Sequence, residues 1–143
     1  MRKEIIEQLV RSDQLRHRSP DKERIKSMIE SSMMTMPVVE TISITAQSAT
    51  LIFRETYESI RQLGDAKWWL LGYEPRNHEV SIEVLKEMDI SQKVKLGHLA
   101  RFKGIRHDAN YRGFKITESQ AKEIVEFWAS CSKEIISLLQ REL

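Results

Sequence analysis

Residues 117–140 read TESQAKEIVEFWASCSKEIISLLQ, and this stretch decides the fold class. Thr117 stands three residues before Gln120, the spacing of a capping box in which each side chain satisfies the other's backbone N–H. Ile116 and Ala121 flank the box as a hydrophobic staple. Beyond it Ala121, Ile124, Trp128, Cys131, Ile135 and Leu138 recur at alternating steps of three and four. That is the apolar seam of a long packed helix running to the end of the chain.

Helical periodicity extends backwards from this point. Residues 91–109 carry Val94, Leu96, Leu99, Phe102 and Ile105, and residues 78–88 carry Val80, Ile82, Val84 and Leu85. The longest segment, 47–71, places Ala49, Ile52, Phe53, Thr56, Ile60, Leu63 and Leu70 on one face, with Gly72 as a C-terminal cap and Pro75 beyond it. A helix over 20–44 is expected to start at Ser19-Pro20 and to kink or end near Pro37. Thr41–Thr45 alternates like a strand but has no partner, so it reads as helix end and connection. A short amphipathic helix is expected over 2–16. The reading is an all-α, antiparallel four- to five-helix up-and-down bundle over 19–143, with residues 1–18 as an N-terminal helical extension.

Composition agrees. A chain of 143 residues is one domain's worth. Five Gly and three Pro are too few for the turns of an all-β sandwich or for repeated strand–loop–helix junctions. Cys131 is the only cysteine, which excludes a disulfide framework and a Cys-rich zinc site. No His/Asp/Glu group has metal-ligand spacing, so no metal and no cofactor are expected. No apolar signal segment or membrane span is seen, so the expected location is cytoplasmic, without a membrane partner. No Gly-rich phosphate loop, nucleophile elbow or kinase signature is present.

The net charge of +2 hides a segregation. Residues 93–115 hold seven basic side chains (Lys93, Lys95, Arg101, Lys103, Arg106, Arg112 and Lys115) against Asp108 alone. The segment is therefore +6 and the remainder −4. Concentrated positive charge is the electrostatic footprint of a polyanion site, set against the plainer reading of a solvated helix face. Phe102, Tyr111 and Phe114 lie among these cations and could stack on bases. Of the other candidates, His17, His78 and His98 read as loop, helix-tethering and surface residues. Of Trp68 and Trp69, one is expected in the core and the other partly exposed. Met28, Met33, Met34 and Met36 form a soft patch.

The stretch Arg101-Phe102-Lys103-Gly104-Ile105-Arg106-His107-Asp108-Ala109-Asn110-Tyr111, followed by a capped last helix, resembles the signature of HEPN (higher eukaryotes and prokaryotes nucleotide-binding) domains. Tyr57 to Tyr73, with its Gly-Tyr turn, and Asn77-His78 opening the next helix strengthen the resemblance, which covers about 48–143. It implies a helical homodimer. It further implies one of three roles: a nucleotide- or RNA-binding domain, a metal-independent ribonuclease or toxin, or the partner of a nucleotidyltransferase-type antitoxin.

Carried onto this sequence, the motif makes Arg106, His107 and Tyr111 the candidate catalytic set. Arg101, Lys103, Arg106, Arg112 and Lys115 become the candidate nucleic-acid or phosphate contacts. Arg offers paired donors to phosphate oxygens and His moves protons near neutral pH. By context Tyr111 stands where the family's catalytic His is expected, and a phenol is a poor base at pH 7. That favours a binding protein without intact ribonuclease chemistry. By spacing alone Arg101 and His107 satisfy the literal pattern, which keeps the endoribonuclease reading open.

Overall fold

The computed structural model describes residues 1–143 and is mostly helical. It has six α-helices and one two-stranded sheet: α1 (Lys3–Arg11), β1 (Leu15–His17), α2 (Lys22–Val39), α3 (Ala49–Leu70), β2 (Tyr73–Pro75), α4 (His78–Ser81), α5 (Leu99–Tyr111) and α6 (Glu118–Arg141). Short 3-10 helices at Glu83–Glu87 and Lys93–His98 link α4 to α5. The expected all-α bundle is present, with α3 at its centre between α2 and α6.

The helices with clear periodicity form where expected. In α6 the Gln120 amide donates to Thr117 Oγ1 (3.1 Å) and the Thr117 amide to Gln120 Oε1 (2.9 Å). Ile116 and Ala121 beside this box are buried. Five of the six seam residues from Ala121 to Ile135 and on to Leu138 are buried, Leu138 only partly, and α3 covers them. Because one chain already covers the seam, it supplies no surface for a second copy. Gly72, at φ +92°, ends α3 as read, since a residue with a side chain is strained in that conformation.

Four expectations about the secondary structure need correction. The first helix ends at Arg11. Asp13 adopts φ 59° and turns the chain, so that Leu15–His17 pair antiparallel with Tyr73–Pro75. Three-residue strands are too short to show alternation. The second helix is capped by Asp21, which accepts from the Arg24 amide (3.1 Å), and not by Ser19. It continues through Pro37 to Val39. Pro37 frees only the Met33 carbonyl one turn back, and Met33 is exposed, so water can satisfy it.

The third and fourth corrections lie between 78 and 98. The expected helix 78–88 is a single turn followed by a 3-10 helix. Its apolar residues are spaced by two and one, not three and four. Gly64 of α3 also presses on its backbone: a Cβ there would lie 2.8 Å from the Ser81 carbonyl carbon. The expected helix 91–109 begins only at Leu99, and Val94 is almost fully exposed.

The core has two parts. The main cluster joins α2, α3, α5 and α6 around Phe53, Tyr57, Trp69, Phe102, Phe127 and Trp128. A smaller one gathers Leu15, Trp68, Val80 and Val84 under Met1, Ile6, Leu9 and Val10, so residues 1–18 dock on the bundle. The terminal ammonium also pairs with Glu87. Trp68 and Trp69 are both buried, which corrects the expectation that one of them is partly exposed. Trp68 enters the small cluster and donates to the Val80 carbonyl (2.9 Å), while Trp69 faces the main core under the Arg24 guanidinium. Cys131 is buried, which pushes its thiol pKa up. Met36 is core, whereas Met33 and Met34 are exposed. No helix is long and apolar enough to cross a membrane.

Candidate functional site

A cleft of about 670 Å³ opens between α3, α4 and α5. One wall comes from α5, with Lys103, Gly104, Arg106, His107, Asp108 and Tyr111. The opposite wall comes from Tyr57, Arg61 and Asp65 of α3, and Arg76, Asn77 and His78 close the end. Residues four apart on a helix share a face, so Tyr57, Arg61 and Asp65 form one polar stripe two turns long. The three candidate catalytic residues therefore line one cavity. His107 and Tyr111, one turn apart, have ring centroids 4.9 Å from each other, and Tyr111 is largely exposed.

The five candidate phosphate contacts do not stay together. Arg101 lies on the side of α5 facing α6, where it pairs with Glu123 (2.8 Å from Nη1 to Oε2) and reaches His98 Nδ1 (3.0 Å). Six positions along a helix turn it about 120° away from His107. Lys103 lines the cleft but donates to Glu83 (2.9 Å) and to the Glu79 carbonyl (3.1 Å). Arg112 leans towards Asp108 (3.9 Å) and Phe114, beyond the end of the cleft. Lys115 is exposed outside it. Of the three aromatic candidates, Phe102 is wholly buried between Phe53 and Phe127 and cannot stack on a ligand, whereas Tyr111 and Phe114 are exposed.

Charge pairing sets the electrostatics. Arg61 is held by Glu58 and by Asp65 (2.6 Å), Arg76 approaches Asp13 (3.6 Å), and Lys103 is held by Glu83. Arg106 has no carboxylate partner; its guanidinium lies over the Tyr57 ring, 5.2 Å from the centroid. It is thus the one cation of the cleft left unneutralised. Burial pushes the Tyr57 phenol up to about 12, against the pull of Arg106 and Arg61, so the group is a neutral O–H donor throughout the physiological range. The hydrogen bond from Arg61 holds the Glu58 carboxyl below its usual range. Burial works to raise Glu83, but Lys103 and Lys86 prevail and hold it low. Asp65 goes the other way. Burial raises its carboxyl above the usual range despite Ser81 and Arg61, and Oδ1 has no hydrogen-bond partner.

The remaining histidines find structural places. His17 packs on Tyr73, and His98 sits beside Arg101 and Glu123. His78 begins α4, but Asn77 does the capping, accepting from the Glu79 and Val80 amides (3.0 and 3.1 Å). In the sequence Tyr57 and Asn77 stand out only as parts of the resemblance, and Arg61, Asp65 and Arg76 do not stand out as site residues. The four-residue spacing of Tyr57, Arg61 and Asp65 along one helix was the available signal. No group of three or more His, Cys, Asp and Glu residues is arranged to hold a metal ion. The chain matches no protein-family model, no curated protein and no solved structure.

Proposed function

We propose that this protein is a HEPN-like domain that binds a nucleotide or a phosphate-bearing stretch of RNA in the cleft between α3 and α5. Arg106 carries the reading: it is the cleft's unpaired cation, and it lies beside the exposed His107–Tyr111 ring pair. A guanidinium there offers two parallel donors to phosphate oxygens. The rings beside it offer a base a stacking surface. Arg101 and Lys103 are already paired with Glu123 and Glu83, and Lys93, Lys95 and Lys115 lie outside the cleft, so the binding is local to Arg106 and does not spread over the +6 surface.

A labelled single-stranded RNA titrated against the protein at several salt concentrations tests this. Log affinity should fall linearly with log salt. Arg106→Ala should weaken binding about tenfold or more, the size of a lost charge-assisted contact. A flat salt response, or an Arg106→Ala protein that binds like the wild type, would remove the reading.

The adjacency of Arg106, His107 and Tyr111 favours one second reading, a metal-independent ribonuclease with His107 as proton carrier. It requires RNA cleavage in EDTA that His107→Ala abolishes. RNA left intact by the wild-type protein would exclude it.

A further inference from the structure

We propose that the Tyr57 hydroxyl is a second anion-binding group, donating a hydrogen bond to the phosphate that Arg106 holds. The inference rests on the phosphate reading of the cleft given above. Tyr57 is 2% exposed, and its ring is fixed in the main core, stacked on Phe53 with centroids 6.4 Å apart. A tyrosine buried that deeply normally finds a partner for its O–H. This one makes no hydrogen bond within the protein, and its oxygen is not among the solvent-shielded unpaired atoms. Tyr57 lines the cleft, so its small remaining exposure leaves the hydroxyl able to meet a ligand there.

The neighbours select what that ligand group can be. The Arg106 guanidinium lies 5.2 Å above the same ring, close enough for one phosphate to touch both groups. The phenol stays protonated, so it offers its hydrogen outward to an acceptor. An anionic oxygen therefore fits the pair, and a second cation does not. The rigid ring adds preorganisation, because its orientation is set before the ligand arrives. Arg106 supplies the charge and Tyr57 fixes where the phosphate oxygen sits.

The test is Tyr57→Phe, which keeps the ring in the core and deletes only the oxygen. Binding of the labelled RNA and of a nucleoside monophosphate should weaken about tenfold, as for a lost hydrogen bond to a charged group. The slope of log affinity against log salt should stay at its wild-type value, because no charge is removed. Arg106→Ala should instead lower that slope by about one. A Tyr57→Phe protein that binds both ligands as tightly as the wild type overturns the inference while leaving the phosphate reading intact. So does one whose melting temperature shifts without any change in binding. If the wild-type protein binds neither ligand, the underlying reading fails and this inference falls with it. Thr56→Ser on the same turn, buried and turned to the Ile52 carbonyl, is the control for packing changes and should bind like the wild type.

Discussion

The two sides of α5 carry similar residues and have opposite fates. On the side facing α6, Arg101 is tied to Glu123 and His98, and Phe102 below it is sealed into the core. On the side facing α3, Arg106 makes no salt bridge, and His107 and Tyr111 stand open to a cleft. The sequence reads both sides as one basic run. The contrast shows that the local charge of a segment overstates what it offers a ligand, because acids from distant helices cancel it selectively. What matters for binding is which cation the fold leaves unpaired.

The largest expected effect removes one side of this comparison altogether. Gly64 lets the Ser81 backbone rest directly on α3, and a side chain there would overlap it. Gly64→Ala should destabilise the protein by on the order of 3 kcal/mol, the upper part of the range for overpacking. It should displace α4, and with it the Asn77–His78 end of the cleft. Chemical denaturation gives the stability, and RNA titration at a temperature where the variant is folded gives the binding. A variant as stable as the wild type would show that the contact between Gly64 and Ser81 is not what shapes this wall.

The next effect separates the two sides directly. Arg106→Ala should lose about tenfold or more in affinity for RNA with little change in melting temperature, since it breaks no ion pair. The reverse pattern, lost stability with intact binding, would make Arg106 a cover for the Tyr57 ring and nothing more.

How much of this was legible beforehand follows the same division. The α3 and α6 helices were readable because each buries a continuous stripe, and α6 carries its own start signal in Thr117 and Gln120. The segment from 78 to 98 was not readable. Its one-turn and 3-10 helices are held by contacts such as Gly64 on Ser81, which no local periodicity records. The β1–β2 tie was hidden because three residues show no alternation. At the site, the α5 wall was visible as a motif, whereas the α3 wall came together only in three dimensions. Glu83 and Glu123, which neutralise Lys103 and Arg101, lie 20 and 22 residues away in sequence. Nothing in the basic run announces them.

A smaller effect concerns the floor of the cleft. The Asp65 carboxyl is raised by burial, so between its usual value of 3.8 and its higher folded value the folded protein binds more protons than the unfolded chain. Stability then falls as pH rises through that window, and the full cost is present above the folded value. Asp65→Asn should therefore match or exceed the wild-type melting temperature at pH 7, with a gain on the order of 1 kcal/mol. The gain should vanish as the pH is taken below 3.8, where the wild-type carboxyl is neutral in both states. Arg61 keeps Glu58 as a partner in the variant. A variant less stable at pH 7 than the wild type would mean that the Arg61–Asp65 pair outweighs the burial.

The smallest effect is expected on the side facing α6. Arg101 and Glu123 are half and one-third exposed, so their pair is open to water and salt. Arg101→Ala should cost less than about 1 kcal/mol, the range of surface ion pairs, and the loss should shrink further in high salt. Its affinity for RNA should stay within about twofold of the wild type at physiological salt, because a cation already compensated by Glu123 releases few counterions from a bound strand. The double variant Arg101→Ala/Glu123→Ala should be nearly indistinguishable from Arg101→Ala in stability, since without Arg101 the partly exposed Glu123 keeps only its 3.6 Å approach to His98. If Arg101→Ala instead weakened RNA binding as much as Arg106→Ala, the two sides of α5 would be one continuous surface, with the strand running around the helix towards α6. Equal losses would also require the Arg101–Glu123 pair to open on binding. In that case Glu123→Gln, which releases the guanidinium, should strengthen the interaction.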